Sequence, residues 1–490
     1  MHLAIFLLIL HTIILYMRLL PFAVLALAAF SAHAEITTYD IDNSKRYDAD
    51  FRVRVRQGSG EWMPVPVVPV KVDRVADARH NVETASMAWF DFSGEPVEVE
   101  VTSRKGAVED VKIQPLSYGI SAEKADSVVL FTLAEPRNLF VTVNGDIFHN
   151  LHLFANPQVA GRPTKKQIKK DKHLVYFGPG VHKLPGDTMR IPSNSTVYVD
   201  GAARVVGQLI CDGVDNVRIY GRGEVHPAGR GEGVYVKNSR NIDIEGIIVT
   251  QLPVGGSDGV TISNVKSISS YGWGDGMNVF ASDNVSYDRV FCRNSDDCHT
   301  VYATRKGFSG GCKNITMRNS ALWADVAHPI MIGLHGNADG CDTIQNLRYE
   351  NIDIVDHCEN QIDYQGCFAI NCGDNNLVDN VLFDDIRVED FRKGQLVNIR
   401  IFYNKKYCLA PGAGIRNIVF KDVAYNGSGD NLSIIAGYDS DHKVENVVFE
   451  NLTINGKKIT DDMPGKPKWY KTGDFANMFI GEHVDNVVFK

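Results

Sequence analysis

A four-residue pattern recurs nine times in this chain and limits the folds it can adopt. Each copy begins with Asn, continues with two apolar or alternating residues, and ends on a large apolar or aromatic residue. The copies are Asn216–Ile219, Asn241–Ile244, Asn284–Tyr287, Asn314–Met317, Asn346–Tyr349, Asn380–Phe383, Asn417–Phe420, Asn446–Phe449 and Asn486–Phe489. Alternation with a period of two is typical of strands with one buried face, and Asn tolerates the left-handed backbone of a turn.

The uneven spacing of the copies fits one winding of the chain per copy, with loops of different length inserted on one side. A large antiparallel sandwich would also give short strands at regular intervals, but it does not naturally repeat one turn residue nine times. We therefore expect an all-β protein in which residues 175–490 form a parallel β-helix.

The part of the chain before the repeat has a different character. Residues 35–160 lack the Asn pattern and contain alternating segments separated by turn signals such as Asn144-Gly145. These segments include Phe51–Val55, Val97–Val101 and Leu139–Val143. They predict an N-terminal antiparallel β-sandwich. Residues 161–174 follow as a linker, because the stretch from Gly161 to His173 has six Lys or Arg in thirteen residues.

The first 34 residues are almost wholly apolar and end in Ala32-His33-Ala34, a small-x-small pattern typical of signal-peptide cleavage. Met17-Arg18 already begins a complete signal sequence, so the true start is expected at Met17. A membrane anchor is the alternative reading of the same stretch. No later segment is long and apolar enough to span a bilayer. We expect a secreted, periplasmic or extracellular protein without a stable membrane span after cleavage.

The charge and the cysteine content of the chain limit the kinds of ligand and partner that we expect. The net charge of −8 gives no basic footprint for nucleic acid. All nine cysteines lie between Cys211 and Cys408, and no Cys/His spacing matches a zinc site. We expect most of them to be buried small apolar side chains, with a Cys367–Cys372 disulfide left open. No metal or other cofactor is expected, and the oligomeric state is left open.

Three aspartates lie one repeat apart: Asp275, then the adjacent pair Asp296 and Asp297. One β-helix winding takes roughly 20–30 residues, and neighbouring rungs lie about 4.8 Å apart. The 21-residue separation of Asp275 and Asp296 therefore predicts that they stack on one outer face. Two carboxyl groups that flank a groove and leave room for a water are typical of an inverting glycosidase.

An adjacent aspartate pair alone carries no weight, because Asp384-Asp385 and Asp461-Asp462 occur without a partner one coil earlier. In an ideal strand Asp296 and Asp297 would also point to opposite faces. Burial of an unpaired carboxylate is costly, so we expect a turn or bulge that exposes both side chains.

Four motifs around these aspartates occur in the order seen in a known family. They are Gly274-Asp275-Gly276, Ser295-Asp296-Asp297, the segment from Ala327-His328-Pro329 to Gly333, and Asn398-Ile399-Arg400-Ile401. They resemble the polygalacturonase signatures Asn-Thr-Asp, Gly-Asp-Asp, Gly-His-Gly and Arg-Ile-Lys. The β-sandwich before the β-helix is similar to that of the related dextranase and isopullulanase family. The resemblance covers the chain from about residue 175 onward and, more loosely, the N-terminal domain.

The resemblance implies a right-handed parallel β-helix that hydrolyses α-glycosidic bonds of a polysaccharide by single displacement with inversion. It assigns Asp296 as the general acid and Asp275 with Asp297 as the residues that activate water. Two neighbouring carboxylates disfavour a further negative charge and so keep Asp296 protonated. No metal is required by this scheme.

The candidate substrate-binding residues are His328, Arg400, Trp273, Asn278 and Lys405. His328 either tunes the acid or is a hydrogen-bonded structural histidine. Arg400 either binds substrate or forms a salt bridge at a rung edge. Trp273 could stack on a sugar or pack between loops.

The chain also departs from the polygalacturonase pattern. Trp273-Gly274 stands where the family has Asn-Thr, and Pro329 replaces the second glycine after His328. Phe402 replaces the family's lysine, which favours a neutral or partly neutral glycan, or a uronate bound through Arg400 alone. A glycine-rich stretch from Arg305 to Lys313 suggests a loop that reshapes the groove.

Two other classes of function remain open. A polysaccharide lyase of the same fold would use acidic clusters to hold Ca²⁺ for β-elimination. A non-catalytic β-helix protein would bind glycan without cleaving it. Galacturonan, rhamnogalacturonan, dextran and other α-glucans remain open as substrates, and so does endo or exo action.

Overall fold

A computed structural model describes residues 34–42, 47, 49–76 and 79–490. The predicted signal segment, apart from Ala34, lies outside the described residues, as does the alternative start at Met17. Among the helices of the described ranges, none is both long enough and apolar enough to cross a membrane.

Two packed sheets form the N-terminal part. The first contains, in spatial order, Glu35–Thr37, Arg79–Ser93, Leu151–Pro157, Arg137–Val143 and Val111–Gln114, with Val67–Ala76 beside Arg79–Ser93. The second contains Met63–Val65, Phe51–Gln57, Val97–Ser103, Val128–Leu133 and Ala122–Ala125. Pairing is antiparallel except between Leu151–Pro157 and Arg79–Ser93, which run parallel. These two strands are joined by a long connection, so a tight hairpin does not dictate their direction. Alternating apolar side chains fill the space between the sheets.

Short helical segments are few in the described residues. The α-helix Lys165–Lys170 lies in the segment predicted to be a linker, and Thr164 caps it by accepting a hydrogen bond from the Gln167 N–H. Single 3₁₀ turns are Leu116–Tyr118, Ile362–Tyr364 and Thr472–Phe475.

The rest of the described chain winds into a β-helix with three parallel faces, which form a continuous sheet of 29 strands. The first face contains Leu174–Phe177, Thr196–Val199, Asp215–Gly221, Arg240–Glu245, Asp258–Ser263, Asp283–Asp288, Cys312–Ala324, Thr343–Asp356, Leu377–Val388, Gly414–Tyr425, Val444–Glu450 and Val484–Phe489. The long strands from Cys312–Ala324 to Gly414–Tyr425 bend around the corner and continue on the second face.

The second face also contains Gly180–Arg190, Ala203–Asp212, Glu224–His226, Ile248–Val249, Lys266–Ile268, Phe291–Asn294 and Thr453–Ile454. The third face contains Val234–Lys237, Val254–Gly255, Met277–Phe280, His299–Tyr302, Ile330–Ile332, Phe368–Cys372, Val397–Ile401, Ser433–Ala436 and Met478–Ile480. Lys457–Lys458 pairs antiparallel with Thr453–Ile454, and Gly394–Gln395 pairs with Asp430–Asn431. This architecture confirms the expected all-β fold, a parallel β-helix preceded by a β-sandwich.

The repeated asparagines form a ladder at the start of the first face. All nine have left-handed backbone, with φ between 54° and 62°. Each donates a side-chain hydrogen bond to an Asn or Asp of the preceding rung, as in the 2.8 Å bond from Asn380 to Asn346. In the long interval between Asn241 and Asn284, Gly259 takes the same place with φ of 70°. The repeat therefore marks rungs, as predicted.

The last residues of several repeat copies stack through the core. Tyr349, Phe383, Phe420, Phe449 and Phe489 follow one another with ring centroids 5.1, 4.8, 4.8 and 4.7 Å apart. These distances match the separation of neighbouring rungs, about 4.8 Å, so each ring packs on the ring of the next winding.

The cysteines all lie in the described part of the chain, and each is a free thiol. Seven are buried, while Cys341 is exposed and Cys358 is partly buried. The Cys367–Cys372 disulfide is not formed, and the Cys372 thiol instead donates to the Asn376 carbonyl at 2.9 Å.

The sandwich packs against the outer side of the second face. Phe140 contacts Phe291 and Trp323, with ring centroids 4.2 and 4.7 Å away. Trp323 is therefore buried between the two parts. Asp91 of the sandwich also pairs with the buried Arg222 of the β-helix at 3.2 Å.

The asparagine ladder gives a stability prediction. Asn346→Ala removes bonds to Asn314 and Asn380 and leaves a residue that resists the left-handed backbone, so we expect a loss of about 1–2 kcal/mol in the free energy of unfolding. Asn346→Gly should lose less, because glycine tolerates this backbone. Urea unfolding measures both. Asn360→Ala, at an exposed asparagine outside the ladder, is the matched control, and equal losses at both sites would contradict the account.

Candidate active site

The predicted catalytic residues lie at the corner where the second face turns into the third. The Gly276 N–H donates to the Asp297 carbonyl at 2.8 Å, and Met277 pairs in parallel with His299. Asp275 therefore precedes one strand of the third face and Asp296 and Asp297 precede the next. The rung spacing inferred from the sequence holds at this corner.

The glycines around Asp275 allow this close approach of rungs. A β-carbon on Gly276 would lie 2.4 Å from the Cys298 carbonyl oxygen, and one on Gly274 would lie 2.4 Å from the Ser295 hydroxyl. Such contacts are too short for any other residue. The Gly-Asp-Gly motif thus keeps the backbone of Asp275 against the next rung.

Asp296 and Asp297 occupy a bend between the strands Phe291–Asn294 and His299–Tyr302. Both side chains line the same cleft as Asp275. The Ser269 hydroxyl accepts from the backbone N–H of Ser295 at 3.2 Å, which holds the bend against the preceding rung. A bend rather than a strand therefore directs both carboxyl groups to the cleft, as expected, but it does not expose both, because Asp297 is buried.

Asp297 is held by three donors. The Tyr302 hydroxyl donates to Oδ2 at 3.1 Å, and His328 approaches Oδ1 through its backbone N–H at 3.1 Å and its ring Nδ1 at 2.6 Å. The other ring nitrogen of His328 faces the Tyr364 carbonyl oxygen at 3.0 Å. Both ring nitrogens therefore face oxygen acceptors, and the ring fixes the position of the Asp297 carboxyl group.

The surroundings of Asp275 and Asp296 favour the protonated form of each carboxyl group. Burial, followed by the charges of Asp275 and Asp297, raises the pKa of Asp296 well above its usual range. Burial and the charge of Asp297 raise the pKa of Asp275 to about 7, opposed by a hydrogen bond from Asn278 and by Lys306 and Arg305. The three carboxyl groups are therefore unequal, with Asp296 the one best suited to keep its proton.

An open cleft of about 1070 Å³ contains these groups. Its aromatic lining includes Tyr235, Tyr271, Trp273, Phe280, Tyr302, Tyr364 and Tyr407, and its cationic lining includes Lys71, Arg204, Arg230, Arg305, Lys306 and Lys406. A long cleft with aromatic and charged side chains suits an extended polar ligand. Within the described ranges, no group of three or more His, Cys, Asp or Glu side chains is arranged to hold a metal ion.

The predicted substrate-binding residues are only partly brought together. Trp273 and Asn278 line the cleft, and Asn278 donates to Asp275 at 2.6 Å. His328 is fully buried behind Asp297. Arg400 donates to the Asp363 carbonyl at 2.9 Å, and neither it nor the exposed Lys405 belongs to the cleft lining.

Several lining residues were missed by the sequence analysis. Tyr302 points outward from the strand that follows Asp297, a position that strand alternation could have indicated. Arg305 and Lys306 lie in the loop already suspected of reshaping the groove. Phe402, which replaces the family lysine, is buried among apolar side chains and brings no charge to the cleft.

Comparison with solved structures shows a likeness of fold. Dex49A from Penicillium minioluteum superposes with a TM-score of 0.60 at 13% identity, over 92% of this chain and 99% of that chain. A Family 28 exopolygalacturonase from Yersinia enterocolitica gives a TM-score of 0.48 at 12% identity, over 80% of this chain and 96% of that chain. No protein-family model matches the sequence, and no curated protein matches it.

Proposed function

We propose that this protein is a glycoside hydrolase that cleaves α-linked polysaccharide by single displacement with inversion. The observation that carries the proposal is the set of three carboxyl groups, Asp275, Asp296 and Asp297, on neighbouring rungs in one open cleft. The shared fold with Dex49A, over nearly the whole of both chains, agrees with it.

Asp296 is the general acid. Its carboxyl group has the strongest preference for the protonated form, because it is buried beside two other acids. Within the described residues, the Asp296 side chain accepts one hydrogen bond, from the Asp297 backbone N–H at 3.0 Å. Its proton therefore remains available for the leaving glycosidic oxygen.

Asp275 and Asp297 hold and activate the water. The Asp297 carboxyl group is fixed by Tyr302 and His328, so it orients the water by accepting a hydrogen bond from it. Asp275 has a pKa of about 7 and is held by Asn278, so its ionised form takes the proton of the water near neutral pH. His328 and Asn278 act as positioning residues in this scheme.

We further propose that the cleft accepts anionic as well as neutral sugars. Phe402 replaces the lysine of the polygalacturonase pattern, and the Arg400 side chain donates to the Asp363 carbonyl. Cationic charge near Asp275 comes instead from Arg305 and Lys306, which belong to a tight turn closed by reciprocal backbone bonds between Arg305 and Phe308. A reducing-end assay on dextran, pullulan, polygalacturonate and rhamnogalacturonan identifies the preferred substrate. If neither polygalacturonate nor rhamnogalacturonan is cleaved, the proposal that the cleft accepts anionic sugars is contradicted.

Export and domain organisation remain proposals drawn from the sequence. We propose a cleaved leader over residues 1–34 and two domains, residues 35–160 and 175–490, joined by residues 161–174. The separate sheets of the two parts support the division. N-terminal sequencing of the exported protein tests the cleavage, and a mature chain that still contains residues before Glu35 would contradict it.

The acid role predicts a specific rescue. Asp296→Asn keeps the size of the side chain but has no proton to give, so turnover should fall by roughly 10²–10⁴. An aryl glycoside with a leaving group that needs no proton should recover much of this loss. Asp275→Asn should not be rescued, because water activation is missing. Steady-state rates on both substrates measure the difference.

The control for this experiment is Asp384→Asn, which alters a partly buried aspartate of an adjacent pair outside the cleft and should not change turnover. Full activity in Asp296→Asn would remove that residue from the acid role. Equal rescue of Asp275→Asn would show that the two aspartates have been assigned wrongly. Unsaturated products that absorb in the near ultraviolet would indicate a lyase instead.

The charge of Lys306 gives a pH prediction. This cation favours the ionised form of Asp275, so Lys306→Gln should raise the pKa of Asp275. Ionised Asp275 is required, so the acidic limb of the kcat/KM profile should move to higher pH, by roughly half a unit. Lys306→Arg keeps the charge and should leave the limb in place. A limb that stays fixed or moves to lower pH in Lys306→Gln would contradict the role of Asp275.

A further inference from the structure

The segment Tyr271–Trp273, immediately before Asp275, has an unusual backbone. Three consecutive residues have positive φ: 78° at Tyr271, 72° at Gly272 and 49° at Trp273. Bulky side chains rarely adopt this conformation, and it persists only where the surroundings hold it. Such strained segments cluster at functional sites.

The N-terminal sandwich holds this segment. The fully buried Asp73, in the strand Val67–Ala76, accepts a hydrogen bond from the Gly272 N–H at 2.8 Å, across 199 positions of sequence. The same oxygen pairs with His80 Nδ1 at 2.8 Å, in the neighbouring strand Arg79–Ser93. Burial of a carboxylate is costly unless it is paired. The contacts to Gly272 and His80 give one oxygen of this acid both of its partners.

The fit between the two parts is close. A β-carbon on Gly272 would lie 2.7 Å from the His80 ring, so a larger residue here would displace that ring and would also strain the left-handed backbone. The His80 ring also lies against Trp273, with ring centroids 6.2 Å apart. The sandwich thus contacts the segment through both its backbone and its aromatic side chain.

The segment presents two aromatic side chains to the cleft. Trp273 is 77% exposed and Tyr271 is 45% exposed, and both line the cleft that contains Asp275. The guanidinium of Arg230 lies over the Tyr271 ring, 5.3 Å from its centroid. Exposed aromatic faces in a polar cleft are suited to the apolar C–H faces of sugar rings.

The sandwich also forms part of the cleft wall. Pro69, Val70, Lys71, His80 and Met87 line it together with residues of the β-helix. All five belong to the strand pair Val67–Ala76 and Arg79–Ser93. A substrate chain that extends past Asp275 on this side therefore meets both parts of the protein.

We propose that the sandwich completes the substrate cleft and that Asp73 is a positioning residue, which holds Trp273 as a stacking platform for a pyranose ring of the polysaccharide. This proposal rests on the proposed function for the identity of the ligand. It extends that function by assigning a subsite to a second domain, and by naming the buried acid on which the subsite depends.

The test measures KM and kcat on the preferred polysaccharide. Trp273→Ala should raise KM about tenfold, because one stacking contact with the sugar is lost, and kcat should fall by a smaller factor. Asp73→Ala should raise KM in the same direction, and Asp73→Asn, which can still accept from the Gly272 N–H, should recover most of the loss. The double variant Asp73→Ala/Trp273→Ala should be no worse than Trp273→Ala, because Asp73 acts through Trp273.

Trp469→Ala is the matched control, since Trp469 is 83% exposed but lies outside the cleft lining. It should leave KM unchanged. Additive effects of the two substitutions, or an unchanged KM in Trp273→Ala, would overturn the platform. Thermal unfolding of Asp73→Ala separates a local effect from a loss of fold, since the proposal requires a folded protein with raised KM.

Binding separates this proposal from the proposed function. Oligosaccharides of dextran and of polygalacturonate are titrated into Asp296→Asn, with the heat of binding measured by isothermal titration calorimetry as the readout, so no turnover is needed. A signal that is present in Asp296→Asn and lost in Asp296→Asn/Trp273→Ala supports the platform even if the wild-type protein proves to be a lyase. Failure of both oligosaccharides to bind would overturn the platform.

Discussion

Parallel hydrogen bonding between successive rungs is the constraint on which the rest of the structure depends. It brings residues from one winding within contact distance of the next, and it fixes which residues stack. At the corner between the second and third faces, a 2.8 Å hydrogen bond from the Gly276 N–H to the Asp297 carbonyl joins two rungs. The carboxyl groups therefore come close enough for the charge of Asp275 to raise the pKa of Asp296, and for the charge of Asp297 to raise the pKa of Asp275. The proposed catalytic arrangement therefore depends on backbone register.

Much of this register could be predicted from the sequence, because one residue type marks the turn in every copy. The nine asparagines adopt left-handed backbone because their short polar side chains tolerate this conformation. A second ladder was missed. It lies five positions after the first, where Asn319 and Asn351 are joined by a 2.8 Å side-chain bond. The same turn uses Asp385 and Asp422 in later rungs, both with positive φ, so residue identity alone hides it.

The aspartates could be placed from spacing, since a winding of known length returns them to the same corner. Their partners could not. Asp73 lies 199 positions before Gly272 in the sequence and belongs to a strand of the sandwich. No local sequence pattern indicates a contact of this kind. Arg305 and Lys306 belong to an inserted loop, whose path depends on its own turn. The family resemblance gave Arg400 and Lys405 a place near the substrate, but the Arg400 side chain donates to the Asp363 carbonyl, and the exposed Lys405 lies outside the cleft lining.

The anomeric form of the first product is the most direct test of the central claim, that rung stacking builds an inverting hydrolytic site. Proton NMR of an early time course on an α-linked substrate distinguishes the two anomers before they equilibrate. A water held by Asp275 and Asp297 attacks the face opposite the leaving group, so the account predicts the β anomer first. The α anomer as first product would mean double displacement and would contradict the assignment of these aspartates.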